Sequence, residues 1–234
     1  AEEVEVAHAR ILPSRLLWTD TAMVAPILRW LRACLEGGTM TSMPTLTDRA
    51  HEHRVSRAEF ERYRDERDQR PDGARYELLD GEIVVTPSPA PIHQHVVRRL
   101  MHLLDAVVPD DSALLTAPMD VVLTGAADSL VQPDLLLSAW EDPETKTTFS
   151  TPPALIVEIL SPSTWRRDLG PKRDLYAAAG VEHYWVVAPD TPSVTIYRLG
   201  DDGAYREETH LTGDQRWSTT VPVEVTLCPA DLVR

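Results

Sequence analysis

The reading of residues 152–164, "PPALIVEILSPST", together with residues 131–140, "VQPDLLLSAW", decides the fold. Each is an apolar run of strand length that carries one acid, Glu158 in the first and Asp134 in the second. The continuous apolar runs at residues 154–160 and 135–137 predict central strands covered on both faces. A carboxylate inside such a strand is costly unless something compensates its charge. Side chains alternate along a strand, so Asp134 is expected to share a face with Gln132 and Leu136, and Glu158 with Ile156 and Leu160. If the two strands are neighbours in a suitable register, both carboxylates meet near a strand end. Two acids a few ångströms apart repel each other, and a hard divalent cation, Mg²⁺ or Mn²⁺, resolves the repulsion. Water on such an ion is a ready nucleophile, so the pair predicts a metal site for hydrolysis. The competing readings are a loop cap or arginine partner for Asp134 and a buried basic partner for Glu158. Taken jointly, the two acids favour a site.

The flanking chain supplies the rest of the sheet. Residues 76–85, "YELLDGEIVV", are two alternating runs around Asp80-Gly81, a strong hairpin signal. After the breaker "TPSPAP", residues 93–108 predict an amphipathic helix with Val97, Leu100, Leu104 and Val107 on one face. Residues 118–125 and 131–140 read as strands, and residues 170–181 as a helix opened by Pro171 and stopped by Gly180. Residues 182–190 and 193–200 are two further strands, and the tail from Asp201 reads as a polar hairpin with a last strand, "TVPVEVTL". "SRAEFERYRDERDQ" begins with Ser56 and carries Glu59 three residues on, the capping-box pattern of a short helix. Strands mixed with covering helices give an α/β or α+β domain.

Composition narrows the functional classes. The 234 residues hold 37 acids against 23 Lys and Arg, a net charge of −14. Proteins that coat nucleic acid usually carry the opposite balance, so any contact with nucleic acid must come through a local patch or a bound cation. The apolar early stretch "AMVAPILRWLRACL" is short and broken by Arg29 and Arg32, and neither a membrane span nor a secretory leader is expected. The two cysteines, Cys34 and Cys228, form no disulfide or metal-binding pattern, which fits a cytoplasmic protein. Residues 1–39 differ in character, with one amphipathic helix expected over 21–38. The functional domain is expected to run from Met40 to Arg234, residues 40–234, with 1–39 an extension.

The stretches 76–100, 131–137 and 154–187, ending "EILSPSTWRRDLGPKRDLYAAAGVEHYWVV", strongly resemble the Uma-type endonucleases, a branch of the restriction-endonuclease-like PD-(D/E)XK superfamily. The resemblance spans roughly residues 45–199 and leaves out residues 1–39. It implies a mixed central sheet flanked by helices, with an N-terminal β-hairpin, and Mg²⁺- or Mn²⁺-dependent hydrolysis of DNA phosphodiester bonds. In its terms Pro133-Asp134 is the "PD" and Glu158 the second acid, the two metal ligands. The superfamily lysine belongs two residues after the second acid, where this chain has Leu160.

Lys172 is the candidate replacement, since Lys172, Leu175, Tyr176 and Ala179 fall on one helical face. The alternative is a surface lysine whose stem covers apolar area. The resemblance also marks Glu77 and Glu82, beside the hairpin turn, as positions from which an acid can complete a metal shell; an exposed hairpin acid is the competing reading. His93 is expected on the inward helix face, lining the cleft or buried in the core, while His95 and Arg99 face water. Arg166, Arg167 and Arg173, with Lys172, form a basic patch suited to phosphate, and Ser161 and Ser163 can cap a turn or touch phosphate. Against the DNA endonuclease stand a catalytically silent relative that binds nucleic acid or a protein partner, and a hydrolase of another phosphoester. A homodimer would suit cutting of both strands of a duplex.

Overall fold

The computed structural model describes residues 54–68, 74–123, 129–140 and 151–234. The helix expected over 21–38 and the domain start expected near Met40 lie outside them. Helix α1 (Arg57–Asp68) precedes the hairpin β1 (Arg75–Leu79) and β2 (Glu82–Thr86), and helix α2 (Pro91–Asp105) follows. Then come β3 (Ser112–Thr116), β4 (Val121–Leu123), β5 (Ser129–Val131), β6 (Leu135–Ala139) and β7 (Leu155–Ile159). A crossover holds α3 (Trp165–Arg167), a wide turn over Asp168–Lys172, and α4 (Arg173–Ala178). The chain closes with β8 (His183–Ala188), β9 (Ser193–Leu199), β10 (Tyr205–Thr212), β11 (Trp217–Thr219), β12 (Val225–Leu227) and α5 (Pro229–Val233). Among the described residues no helix is long and apolar enough to cross a membrane.

The central sheet has six strands in the order β10-β9-β8-β7-β6-β3. Only β7 and β8 pair in parallel, and a parallel pair requires a long crossover, here the helical segment 165–178. Period-two alternation sorts the side chains of β6 and β7 between two cores. Leu135, Leu137, Leu155, Val157 and Ile159 pack with Val96, Leu100 and Leu104 of α2. On the opposite face Leu136 and Ile156 pack with Tyr176 and Ala179 of the crossover and with Leu79 and Val84 of the hairpin. Each fully buried side chain of this size stabilises the fold by about 1.5–3 kcal/mol, so both faces hold the sheet firmly. This is the mixed sheet flanked by helices that the resemblance implied, and the two acid-bearing runs hold its central, doubly covered strands.

The hairpin belongs to a second, antiparallel sheet, β2-β1-β5-β4. Leu79 pairs with Glu82 across Asp80 and Gly81, which have φ of 50° and 79°, the left-handed pair that a tight hairpin turn requires. A Cβ on Gly81 would also lie 2.7 Å from Cβ of Arg54, so the position excludes larger residues twice over. Tyr76 and Leu78 pack under Phe60 of α1. The alternate residues Arg75, Glu77 and Leu79 therefore look the other way, and Leu79 joins the second core of the central sheet. The capping box of α1 forms, with Ser56 N and Oγ donating to Glu59 Oε2 at 2.9 and 2.7 Å.

Several details depart from the sequence expectations. Residues 131–140 are two strands, and Asp134 sits in the bend ahead of β6. Strand β3 carries a mostly half-buried edge pattern that apolar periodicity did not reveal. The crossover helix starts at Trp165 rather than at Pro171 and bends at Gly170, whose φ and ψ of −123° and −105° leave the helix. Val107 lies beyond α2 and is exposed, and the buried face of that helix is Val96, Leu100 and Leu104. The polar tail strand β10 extends the central sheet by pairing with β9, while β11 and β12 form their own ribbon.

Candidate active site

Antiparallel pairing of β6 and β7 sets Leu135 opposite Val157, Leu136 opposite Ile156 and Leu137 opposite Leu155. One step further along that register brings Asp134 to the level of Glu158. The backbone N–H of Ile159 donates to Asp134 Oδ2 at 2.8 Å, tying the two acid-bearing segments together. Both acids are buried, at 3% and 1% exposure.

Each acid has its own retinue. Arg75 Nη1 donates to Asp134 Oδ1 at 2.9 Å, and His93 Nε2 lies 2.9 Å from Asp134 Oδ2. Glu158 Oε1 accepts from Lys172 Nζ at 2.6 Å and from the Tyr176 hydroxyl at 2.6 Å. Lys172 Nζ also reaches Glu77 Oε1 at 3.0 Å, and that same oxygen accepts the backbone N–H of Gln132 at 2.8 Å. Period-two alternation on β1 explains why Arg75 and Glu77 arrive side by side. Helical spacing explains Lys172 and Tyr176, four residues apart and both buried against Glu158. Lys172 is thus no surface lysine: it is 1% exposed. Leu160, at the usual lysine position, packs among apolar side chains of the second core.

The other expected site residues are more scattered. Glu82 is exposed beside the turn, away from this cluster. Arg167 Nη2 donates to Thr86 Oγ1 at 3.1 Å. Arg166 is exposed and stacks on the ring of its neighbour Trp165, 4.8 Å from the centroid. Arg173 lies over the ring of Tyr197 on β9, 5.9 Å away, and does not join the other two arginines. Ser161 Oγ is within 3.0 Å of both Ser163 Oγ and Thr164 Oγ1, in a hydroxyl-bonded turn. His95 bonds the backbone oxygen of Arg234 at 2.9 Å, at the surface as expected. Sequence reasoning did not single out Arg75, Asp168 or the hydroxyl of Tyr176. The alternation "RYELL" was the available signal for Arg75, while Asp168, flanked by Arg167 and Lys172 in a basic stretch, carried none.

A cavity of about 850 Å³ opens on the Asp134 side of the cluster, with Arg75, Thr86, His93, Asp134, Ser161 and Thr164 in its wall. Buried Arg75 Nε and His93 Nδ1 have no hydrogen-bond partner among the described residues. Electrostatics divides the two acids. Burial opposes ionisation of Asp134, but the bond from His93, the charge of Arg75 and the Ile159 N–H outweigh it and hold the carboxyl well below its ordinary range. Burial, with Asp134, Asp168 and Glu77 adding repulsion against the pull of Lys172, pushes Glu158 up to about 8. Asp168 is raised for the same first reason, burial. Burial alone would lower Lys172, yet Glu158 and Glu77 keep its ammonium above the ordinary lysine value.

The formal count explains this. Glu77, Asp134, Glu158 and Asp168 are four buried acids set against two cations, Arg75 and Lys172, so the acids outnumber the cations by two, and the upward shift of Glu158 relieves part of the imbalance by keeping its proton. Among the described residues no group of three His, Cys, Asp or Glu side chains forms a ready-made metal cage. Mg²⁺, however, is commonly held by one or two carboxylates with waters and substrate phosphate completing the shell. The all-oxygen acids, two more than the cations beside them, fit such an ion.

A stability test follows from the sign of the Glu158 shift. Its folded-state value of about 8 exceeds the ordinary 4.5, so the folded protein binds the proton more tightly across that window. Stability is therefore expected to fall as pH rises from 4.5 to 8, by at most about 1.4 kcal/mol per pH unit from this group. Thermal melting of cation-free protein across this window should show the decline, and Glu158→Gln should flatten it. Asp134 contributes the opposite slope, but only on the acid side of 3.8.

A family model for Uma2, described as "Putative restriction endonuclease", matches residues 57–230, three quarters of the chain. The chain belongs to the Uma2 family. The uncharacterized protein slr1290 of Synechocystis sp. is 27% identical over 131 residues, covering 55% of this chain and 68% of that protein. A solved structure from Anabaena variabilis ATCC 29413, described as "a putative nuclease belonging to DUF820", superposes with a TM-score of 0.56 at 19% identity. The superposition covers 68% of this chain and 89% of that one, and establishes that the Uma2 fold seen here is shared. Family and fold together give a nuclease-like protein with a restriction-endonuclease-like core.

Proposed function

We propose that this Uma2 protein is an endonuclease that hydrolyses DNA phosphodiester bonds at the acid cluster, with Mg²⁺ or Mn²⁺ as cofactor. The observation that carries the reading is the buried excess of acid over cation, which meets an 850 Å³ cavity at Asp134. Structural ion pairs need no such excess, and it is costly without a cation to meet it. Asp134 and Glu158 would hold the ion, with Glu77 close by through Lys172. When bound, such an ion supplies Lewis acidity toward phosphoryl oxygens and a water of lowered pKa.

The chain's own groups do the positioning. Arg75 and His93 each hold one oxygen of Asp134, fixing the carboxylate's orientation; His93 so acts through Asp134. Tyr176 and Lys172 converge on Glu158 Oε1 and fix the second acid in the same way. Lys172 is also the preorganised positive charge nearest the acids, suited to charge developing on a phosphate. Arg167, bonded to Thr86 in the cavity wall, and the exposed Arg166 are the phosphate contacts the geometry favours.

The test is incubation with supercoiled plasmid and with single-stranded circular DNA, in Mg²⁺ or Mn²⁺, with and without chelator. Nicked, linear or fragmented products that chelator abolishes are the expected result. DNA that stays intact with every cation, while still retarded on a gel, would establish the silent binding relative instead.

A further inference from the structure

The deepest acids of this site are close to sealed. Glu158 and Lys172 are each 1% exposed and Asp134 3%, and of these three Asp134 lines the cavity. Its wall is built from Thr86, Ile92, His93, Ser161 and Thr164, with Pro162 between the last two. A phosphodiester of an intact duplex lies on a broad cylinder, whose partner strand and grooves must stay outside such a cleft. A single strand can bend its backbone inward. The net charge of −14 points the same way, because a long phosphate footprint needs many basic groups.

The lip of the cavity offers what an unpaired strand uses. Trp165 is 43% exposed, a large aromatic surface left in water one residue beyond Thr164 of the wall. The guanidinium of Arg166 stacks on its ring, 4.8 Å from the centroid, joining a flat π surface to a positive charge. Among the described residues Trp165 joins none of the three apolar cores. Aromatic platforms beside basic groups bind single strands because every unpaired base has a stacking face, whereas paired bases hide theirs.

We infer that the site takes single-stranded DNA, with one unpaired base stacked on Trp165 and the neighbouring phosphate led by Arg166 and Arg167 into the cavity toward Asp134. Trp165 is then a determinant of substrate class for the nuclease activity proposed above, on which this inference rests.

The experiment measures binding by fluorescence anisotropy of a labelled mixed-sequence single strand and of the blunt duplex made from it. Ca²⁺ is supplied as an oxygen-seeking cation, and denaturing gels check that the strands remain intact. The single strand is expected to bind at least tenfold more tightly than the duplex. Trp165→Ala should lower single-strand affinity about tenfold, on the scale of one lost stacked base. Trp165→Tyr should recover most of it, and neither variant should shift the melting temperature. Equal affinity for strand and duplex, or a Trp165→Ala protein that binds the strand like wild type, overturns the inference and leaves the nuclease reading standing. Failure of the wild-type protein to bind either DNA overturns both.

Discussion

Lys172→Ala is expected to lower the rate of DNA cleavage by about 10²–10³-fold at saturating cation, the scale of losing one preorganised electrostatic donor. The same change should also destabilise the fold. Lys172 is buried, with Nζ 2.6 Å from Glu158 and 3.0 Å from Glu77. Removing one partner of a buried ion pair leaves the other charges uncompensated, at a cost of about 3–5 kcal/mol. With Arg75 left as the one permanent cation of the cluster, a divalent ion should raise the variant's melting temperature more than it raises that of wild type. Denaturant titration and single-turnover cleavage on the folded fraction separate the two effects. Wild-type cleavage rates in folded Lys172→Ala would end the case for a relocated lysine.

Asp134→Asn and Glu158→Gln should both abolish cleavage, by about 10³-fold or more if each removes a ligand and the charge stabilisation it anchors. Calorimetric titration should show divalent-cation binding strongly weakened in both. Their effects on stability should differ. Asp134 is held ionised by His93, Arg75 and the Ile159 N–H, so Asn removes the carboxylate that Arg75 bonds directly and should cost about 3–5 kcal/mol. Glu158 rises to about 8, so Gln resembles the form already favoured at neutral pH, and Lys172 keeps Glu77. Little loss is expected there in cation-free protein. Equal destabilisation by both substitutions would contradict the division of charge between the two acids. Cation binding that neither change weakens would remove the metal site.

The parts of this architecture written in local chemistry were legible in the sequence. The hairpin follows from Asp80-Gly81, the helix start at α1 from Ser56 and Glu59, and the buried strand β7 from an unbroken apolar run. Two acids in apolar company marked a buried acid cluster, because burial penalises charge wherever the chain places it. The face of Lys172 was readable from helical spacing with Tyr176 and Ala179, whatever the exact start of the helix.

Other features depended on which strands become neighbours, and no local signal encodes that. Arg75 begins a strand remote in sequence from Asp134, and only the turning of the hairpin face toward the central sheet brings the two to 2.9 Å. The half-buried edge strand β3 and the polar strand β10 owe their place to backbone hydrogen bonding with β6 and β9, which apolar periodicity does not report. The bend at Gly170 likewise appeared only in the folded crossover, where Lys172 and Tyr176 meet the carboxylate of Glu158. The sequence alone determined most of the secondary elements and the presence of buried acid at Asp134 and Glu158. Tertiary structure decided which cations answer that acid and how much charge remains unanswered, because a charge balance is a sum over spatial neighbours, and this sum joins β1, the bend before β6, β7 and the crossover.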